Sequence, residues 1–196
     1  MKKIIALMLA LVMVLSFAGC GEVGKAESTV KNFFDACKEG NLEEAKGYIL
    51  LDDGGETTDD DKELYDMAAL MLEKLNYSIV SSEKIDAENV VVTVSVTAPD
   101  MKVAVGEFFQ DALAFAFANA FSDTPLSDEE TEAEMKNMFV KAVGKEDLGT
   151  VTNEAVVTVV KVDGTWLIDA DEAFADVLTG GMVTAFEEVS NSFSGE

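Results

Sequence analysis

Two stretches of this sequence set a serine three residues ahead of a lysine, Ser28-Thr29-Val30-Lys31 and Ser81-Ser82-Glu83-Lys84. At that spacing a lysine amine can activate a serine hydroxyl. With 11 Ser and 14 Lys in 196 residues, chance alone supplies about 0.8 such matches, and the Ser-Asp-Asn and Lys-Thr-Gly elements that accompany a true serine–lysine site are missing. The pair therefore carries no chemistry. A second candidate is the acidic run Asp59-x-Asp61-x-Glu63, which begins like a calcium loop but has Leu64 where such a loop needs glycine for its turn. Asp53, Glu56, Asp59 and Asp61 are the metal-ligating candidates of this loop, and solvated surface acid is the simpler reading. A third is the set Phe108, Phe109, Phe115 and Phe117, interleaved with alanine, which suits a small apolar ligand or a partner surface.

What is missing narrows the chemistry further. All 14 cations are lysine, and the chain has no His and no Arg. Zinc or haem held by histidine, an imidazole-based triad and a guanidinium clamp on a carboxylate or phosphate are excluded. Against 38 acids the net charge is −24, which repels phosphate and excludes nucleic acid as a partner. Acid–base catalysis would fall to an aspartate with Tyr48, Tyr65 or Tyr77, and no motif links them. The residue types imply no cofactor and favour a non-enzymatic binding or interaction role.

The elements that position these residues follow an N-terminal leader. Lys2 and Lys3 precede an apolar run from Ile4 to Leu15, and small residues follow it, the layout of a secretory signal. The run is well short of the ~20 residues that span a bilayer. Phe17-Ala18-Gly19-Cys20 resembles the bacterial lipobox, which implies that residues 1–19 are a lipoprotein signal peptide and that Cys20 is lipidated. The resemblance places the protein on the extracytoplasmic face of the cell membrane, held by acyl chains. Without residues 1–19 the chain has 12 Lys against 38 acids, a charge of −26, so attachment depends on lipid and not on a basic patch. Cys37 is then left without a disulfide partner, and its place on an apolar helical face marks it as a buried, inert thiol.

Residues 20–27 read as a short polar connector, reaching roughly 25 Å when extended. One α+β domain follows over 28–196. Val30, Phe33, Phe34 and Cys37 recur with helical period, Gly40 ends that helix and Asn41 caps the next. A third helix is expected at about 60–75. Tyr77–Ile85 and Val90–Ala98 form a hairpin, the second strand alternating valine with Thr and Ser. Residues 101–122 form a helix apolar over most of its circumference, which implies burial on more than one side. Ser127 and Glu130 make a capping box for the next helix. Val151–Val162 and Thr165–Asp169 are strands joined at Asp163-Gly164, and Gly180-Gly181 divides the final helical stretch.

Two groups of these residues resemble nuclear transport factor 2-like (cystatin-like) domains. The opening Val30-Lys31-Asn32-Phe33-Phe34-Asp35-Ala36-Cys37 with Gly40-Asn41-Leu42-Glu43-Glu44-Ala45 looks like the start of such a domain. Val160-Lys161-Val162-Asp163-Gly164-Thr165-Trp166-Leu167-Ile168-Asp169 looks like its last hairpin. Asp169-Ala170-Asp171 and Leu178-Thr179-Gly180-Gly181 are similar to the ends of secreted Firmicute lipoproteins of unknown function. The resemblance implies a curved antiparallel sheet wrapped by helices into a cone, with residues 101–145 as a helical insertion. Relatives of this fold include isomerases and dehydratases with a pocket in the cone. An enzyme of that kind, or an apolar-ligand carrier, is the alternative to a protein that binds another envelope component.

Overall fold

The computed structural model describes residues 21–50, 68–69, 71–145 and 147–194. Helix α1, Glu22–Lys38, turns Val30, Phe33, Phe34 and Cys37 inward. Its end is fixed by backbone geometry: Gly40 adopts φ +70°, while the Gly40 and Asn41 amides donate to the Cys37 and Ala36 carbonyls at 3.1 and 2.9 Å. This is the paired closure that a left-handed glycine permits. Asn41 then caps the short helix α2, Leu42–Lys46, by accepting from the Glu44 amide.

Helix α1 begins six residues earlier than the sequence pattern predicts. Residues 22–27 belong to the helix and not to a connector, because Val23 and Ala26 extend its apolar stripe and Ala26 is fully buried. Glu22 adds a second tie: it pairs with Lys84 and lies 3.7 Å from Lys161. Both lysines are remote in sequence.

Four antiparallel strands follow in the spatial order of the chain, β1 Asn76–Lys84, β2 Asn89–Pro99, β3 Thr150–Val162 and β4 Thr165–Asp169. They form a curled sheet, and β1 carries a register shift between Ile79 and Ser81 of the kind that bends a strand. Asp86 closes the first hairpin by accepting from the Glu88 and Asn89 amides, each at 2.8 Å. Asp163 and Gly164 close the last with φ of 49° and 88°, the two positive values that a twisted two-residue turn demands.

One face of the sheet builds the main core. Val90, Val92, Val94 and Val96 alternate inward along β2, join Ala155, Val157 and Val159 of β3, and pack against Phe33 and Phe34 of α1. Fully burying each such side chain contributes about 1.5–3 kcal/mol. Trp166 and Ile168 line the same core. Ile168 lies opposite Val159 and Trp166 opposite Lys161, while Val157 falls beyond the ladder with β4. The Lys161 ammonium sits 5.8 Å from the indole centre, a cation–π contact. This sheet with a long helix across it is the α+β architecture that the resemblance implies.

Between β2 and β3 the chain leaves the sheet for a helical pair, α3 Met101–Ala120 and α4 Asp128–Val143. The excursion departs and returns at one point: Pro99 is paired with Thr150, and the Asp100 amide donates to the Gly149 carbonyl at 3.3 Å. Helix α5, Glu172–Leu178, capped by Asp171, turns through Gly180 and Gly181 into α6, Met182–Ser194. Here the Met101 amide donates to the Gly180 carbonyl. Met71, Met101, Ala104, Ala142, Val143 and Leu148 form a second, smaller core beneath the helical pair.

Candidate functional site

Among the described residues a tyrosine meets a carboxylate at two places, Tyr48 with Glu44 at 3.4 Å at the end of α2 and Tyr77 with Asp35 between helix and sheet. Tyr77 donates to the Asp35 carboxylate at 2.7 Å, Lys31 pairs with the same group, and the Tyr77 ring stacks on Phe34 with centroids 4.6 Å apart. The Lys31 hydrogen bond, followed by that of Tyr77, holds the Asp35 carboxyl below its usual range. Burial, with help from Asp35, pushes the Tyr77 phenol up. A base made weaker beside an acid made weaker is a clamp between α1 and β1, not a proton-transfer pair. No sequence motif announced it, because Tyr77 is 42 residues from Asp35.

Cys37 is 1 % exposed, and burial pushes its thiol up to about 12, so thiolate chemistry is closed to it. Cys20 and the candidate ligands Asp53, Glu56, Asp59 and Asp61 lie outside the described residues, as do Tyr65 and most of the expected helix at 60–75. Among the described residues, no group of three or more His, Cys, Asp or Glu is placed to hold a metal ion, and no helix is long and apolar enough to cross a membrane.

The four candidate phenylalanines separate. Phe108 packs on the second core, edge-on to Phe109 and to Phe139 of α4, each at 5.3 Å between centroids. Phe109 meets Phe186 of α6 at 5.9 Å, so an aromatic cluster joins three helices. Phe139 and Phe186 complete it, with centroids 6.2 Å apart, and no motif in the sequence singles them out. Phe115 is half-buried. Phe117 turns outward and is 66 % exposed.

The expectation that this helix is buried on more than one side fails. On α3 only Met101, Ala104, Val105 and Ala112 are buried. Its outer side leaves Val103 45 %, Leu113 44 % and Phe117 66 % exposed, with Phe121 just beyond at 86 %. The physical reason is the excursion itself: α3 is covered by α4 and by α6 along its first half, and no described element crosses its outer face. Leu113, Phe117 and Phe121 recur every four residues and so form one continuous stripe.

A cleft of about 510 Å³ opens at the junction of the excursion with the sheet, lined by residues including Asp100, Lys102, Asn153, Glu154 and Asp176. None of the four phenylalanines lines it. Its groups are largely committed elsewhere: Lys102 pairs with Glu188 at 3.2 Å, and Asp176 accepts from the Thr184 amide and hydroxyl, both at 2.8 Å.

No family model matches the chain, and no curated protein matches it. A solved structure of an NTF-2 like protein of unknown function from Shewanella oneidensis MR-1 is similar to 76 % of this chain and 94 % of its own, at 12 % sequence identity and a TM-score of 0.41.

Proposed function

We propose that this protein is a nuclear transport factor 2-like domain of the secreted Firmicute lipoprotein type. In this reading it is anchored through Cys20 on the extracytoplasmic face of the cell membrane and acts without catalysis by binding another envelope component. The observation that carries the binding role is the outer stripe of α3, where Leu113, Phe117 and Phe121 stand in solvent. Single exposed apolar side chains are ordinary, but a contiguous row on a strongly charged protein marks an interaction surface. The lipobox-like Phe17-Ala18-Gly19-Cys20 and the order of the two resembling chain ends support the anchor and the family.

Two measurements test the reading. Cys20→Ala moves the protein from the membrane fraction to the soluble one, and unchanged acyl labelling in that variant refutes the anchor. A photo-reactive phenylalanine analogue at position 117 gives discrete adducts in intact cells, while the same analogue at the exposed position 172 does not. Equal yields at the two positions refute the binding face.

A further inference from the structure

The outer side of α3 is more than apolar; its residues fall in the register of a helix seam. Val103, Gln110 and Phe117 lie seven apart, and Gly106, Leu113 and Ala120 interleave three residues after each. All six positions are exposed. Alternating steps of three and four are the a and d spacing by which one helix receives another. From Val103 to Ala120 the seam is ~26 Å long, which matches about 18 residues of a partner helix. Gly106 meets nothing within 4 Å of where a side chain would begin, so it leaves a notch for a bulky partner residue.

The stretch from the seam through the hairpin tip to the first turns of α4 carries one sign of charge, and lysines appear only at its base and beyond it, at Lys102, Lys136, Lys141 and Lys145, the last paired with Glu107. From Val103 to Met135 there are eight acids and no lysine. Asp111, Asp123, Asp128, Glu129 and Glu132 are all exposed, and the last four sit at the far end of the hairpin. Such a rim repels a second copy of itself and an anionic bilayer surface, and it attracts a cationic partner.

We infer that α3 docks an amphipathic, lysine- or arginine-bearing helix of a partner protein, received along Val103, Leu113 and Phe117 and steered by the acidic rim. This rests on the binding face proposed above and adds the chemistry of its occupant. The partner's apolar side fills the seam and its basic flanks face the carboxylates of the α3–α4 hairpin.

The probe is a fluorescent 21-residue synthetic helix with Leu at its a and d positions and Lys at the flanking ones, titrated by anisotropy against the purified full-length protein. A peptide with Glu in place of every Lys is the control. The Lys peptide binds at least 100-fold tighter than the Glu peptide and weakens at least tenfold between 50 and 300 mM salt, as screening of charge requires. Phe117→Ser and, separately, Leu113→Ser each weaken it about tenfold or more, the usual penalty for losing a central apolar anchor, with unchanged circular dichroism. Equal binding of the two peptides overturns the inference, as does an unaltered affinity in both serine variants. So does binding of phosphatidylcholine vesicles, or self-association in sedimentation, that Phe117→Ser abolishes. If the peptides fail while position 117 still gives adducts in cells, the binding face stands and only the basic helix is refuted.

Discussion

Replacing Gly180 by alanine separates two costs that the junction beneath α3 imposes. Gly180 has φ +62°, and a Cβ added there would sit 1.9 Å from the Pro99 carbonyl oxygen. Its own carbonyl accepts from the Met101 amide at 3.1 Å, so the two segments cannot part without giving up that bond. Gly149, on the other side of the same junction, has φ +73° but open space around the added carbon. Both alanines incur the left-handed backbone penalty, about 1 kcal/mol. Only Gly180→Ala adds displacement of rigid backbone, about 2 kcal/mol more by analogy with overpacked cores. For a domain of this size, about 3 °C of melting temperature is lost per kcal/mol. Gly149→Ala should then melt roughly 3 °C lower and Gly180→Ala roughly 9 °C lower, read by circular dichroism and confirmed in urea. Equal losses in the two variants would show that the contact between Gly180 and Pro99 does not hold this junction together.

Further outcomes follow from other contacts. The carboxyl of Asp35 is held below its usual range by Lys31 and Tyr77, so its contribution is complete above the unfolded value near pH 4 and is lost as pH falls through the lower folded value. Asp35→Asn should therefore lower the melting temperature at pH 6 and flatten its decline in acid; parallel wild-type and variant curves would refute the clamp. Cys37, raised to about 12 by burial, should react with an aromatic disulfide reagent at pH 8 only at the rate of unfolding, and rapidly in denaturant. Fast native labelling would contradict its burial. Ser127 accepts from the Glu130 amide and Glu130 accepts from the Ser127 amide. Ser127→Ala should cost about 1 kcal/mol, with faster hydrogen exchange at Glu130; no change in exchange would mean the cap is not formed in solution.

Local chemistry explains what the sequence revealed and what it hid. The Asp163-Gly164 turn, the Asn41 and Ser127 caps and the alternating valines of β2 each depend on residues within a few positions, and each stands where the pattern put it. The start of α1 was hidden because Glu22, Lys25 and Glu27 give its first turns a polar look, while Val23 and Ala26 carry a sparse apolar stripe. What stabilises that turn, Glu22 with Lys84 and Lys161, depends on strands remote in sequence. The open side of α3 was hidden for a different reason. A helix apolar all round states a demand for burial without saying which neighbour meets it, and only the geometry of the excursion shows that the outer face has no described neighbour.

Because α1 opens at Glu22, only Gly21 stands between the helix and Cys20. In a chain acylated at that cysteine, the first helical residue stands ~8 Å from the lipid-bearing one, two Cα steps along the backbone. The anchor then works as a pivot and not as a leash. The whole sheet must tilt with α1, because Val30, Phe33 and Phe34 are packed into it. The distance of α3 from the anchored residue is in that case a property of the fold, and its height above the bilayer follows the tilt of α1 alone.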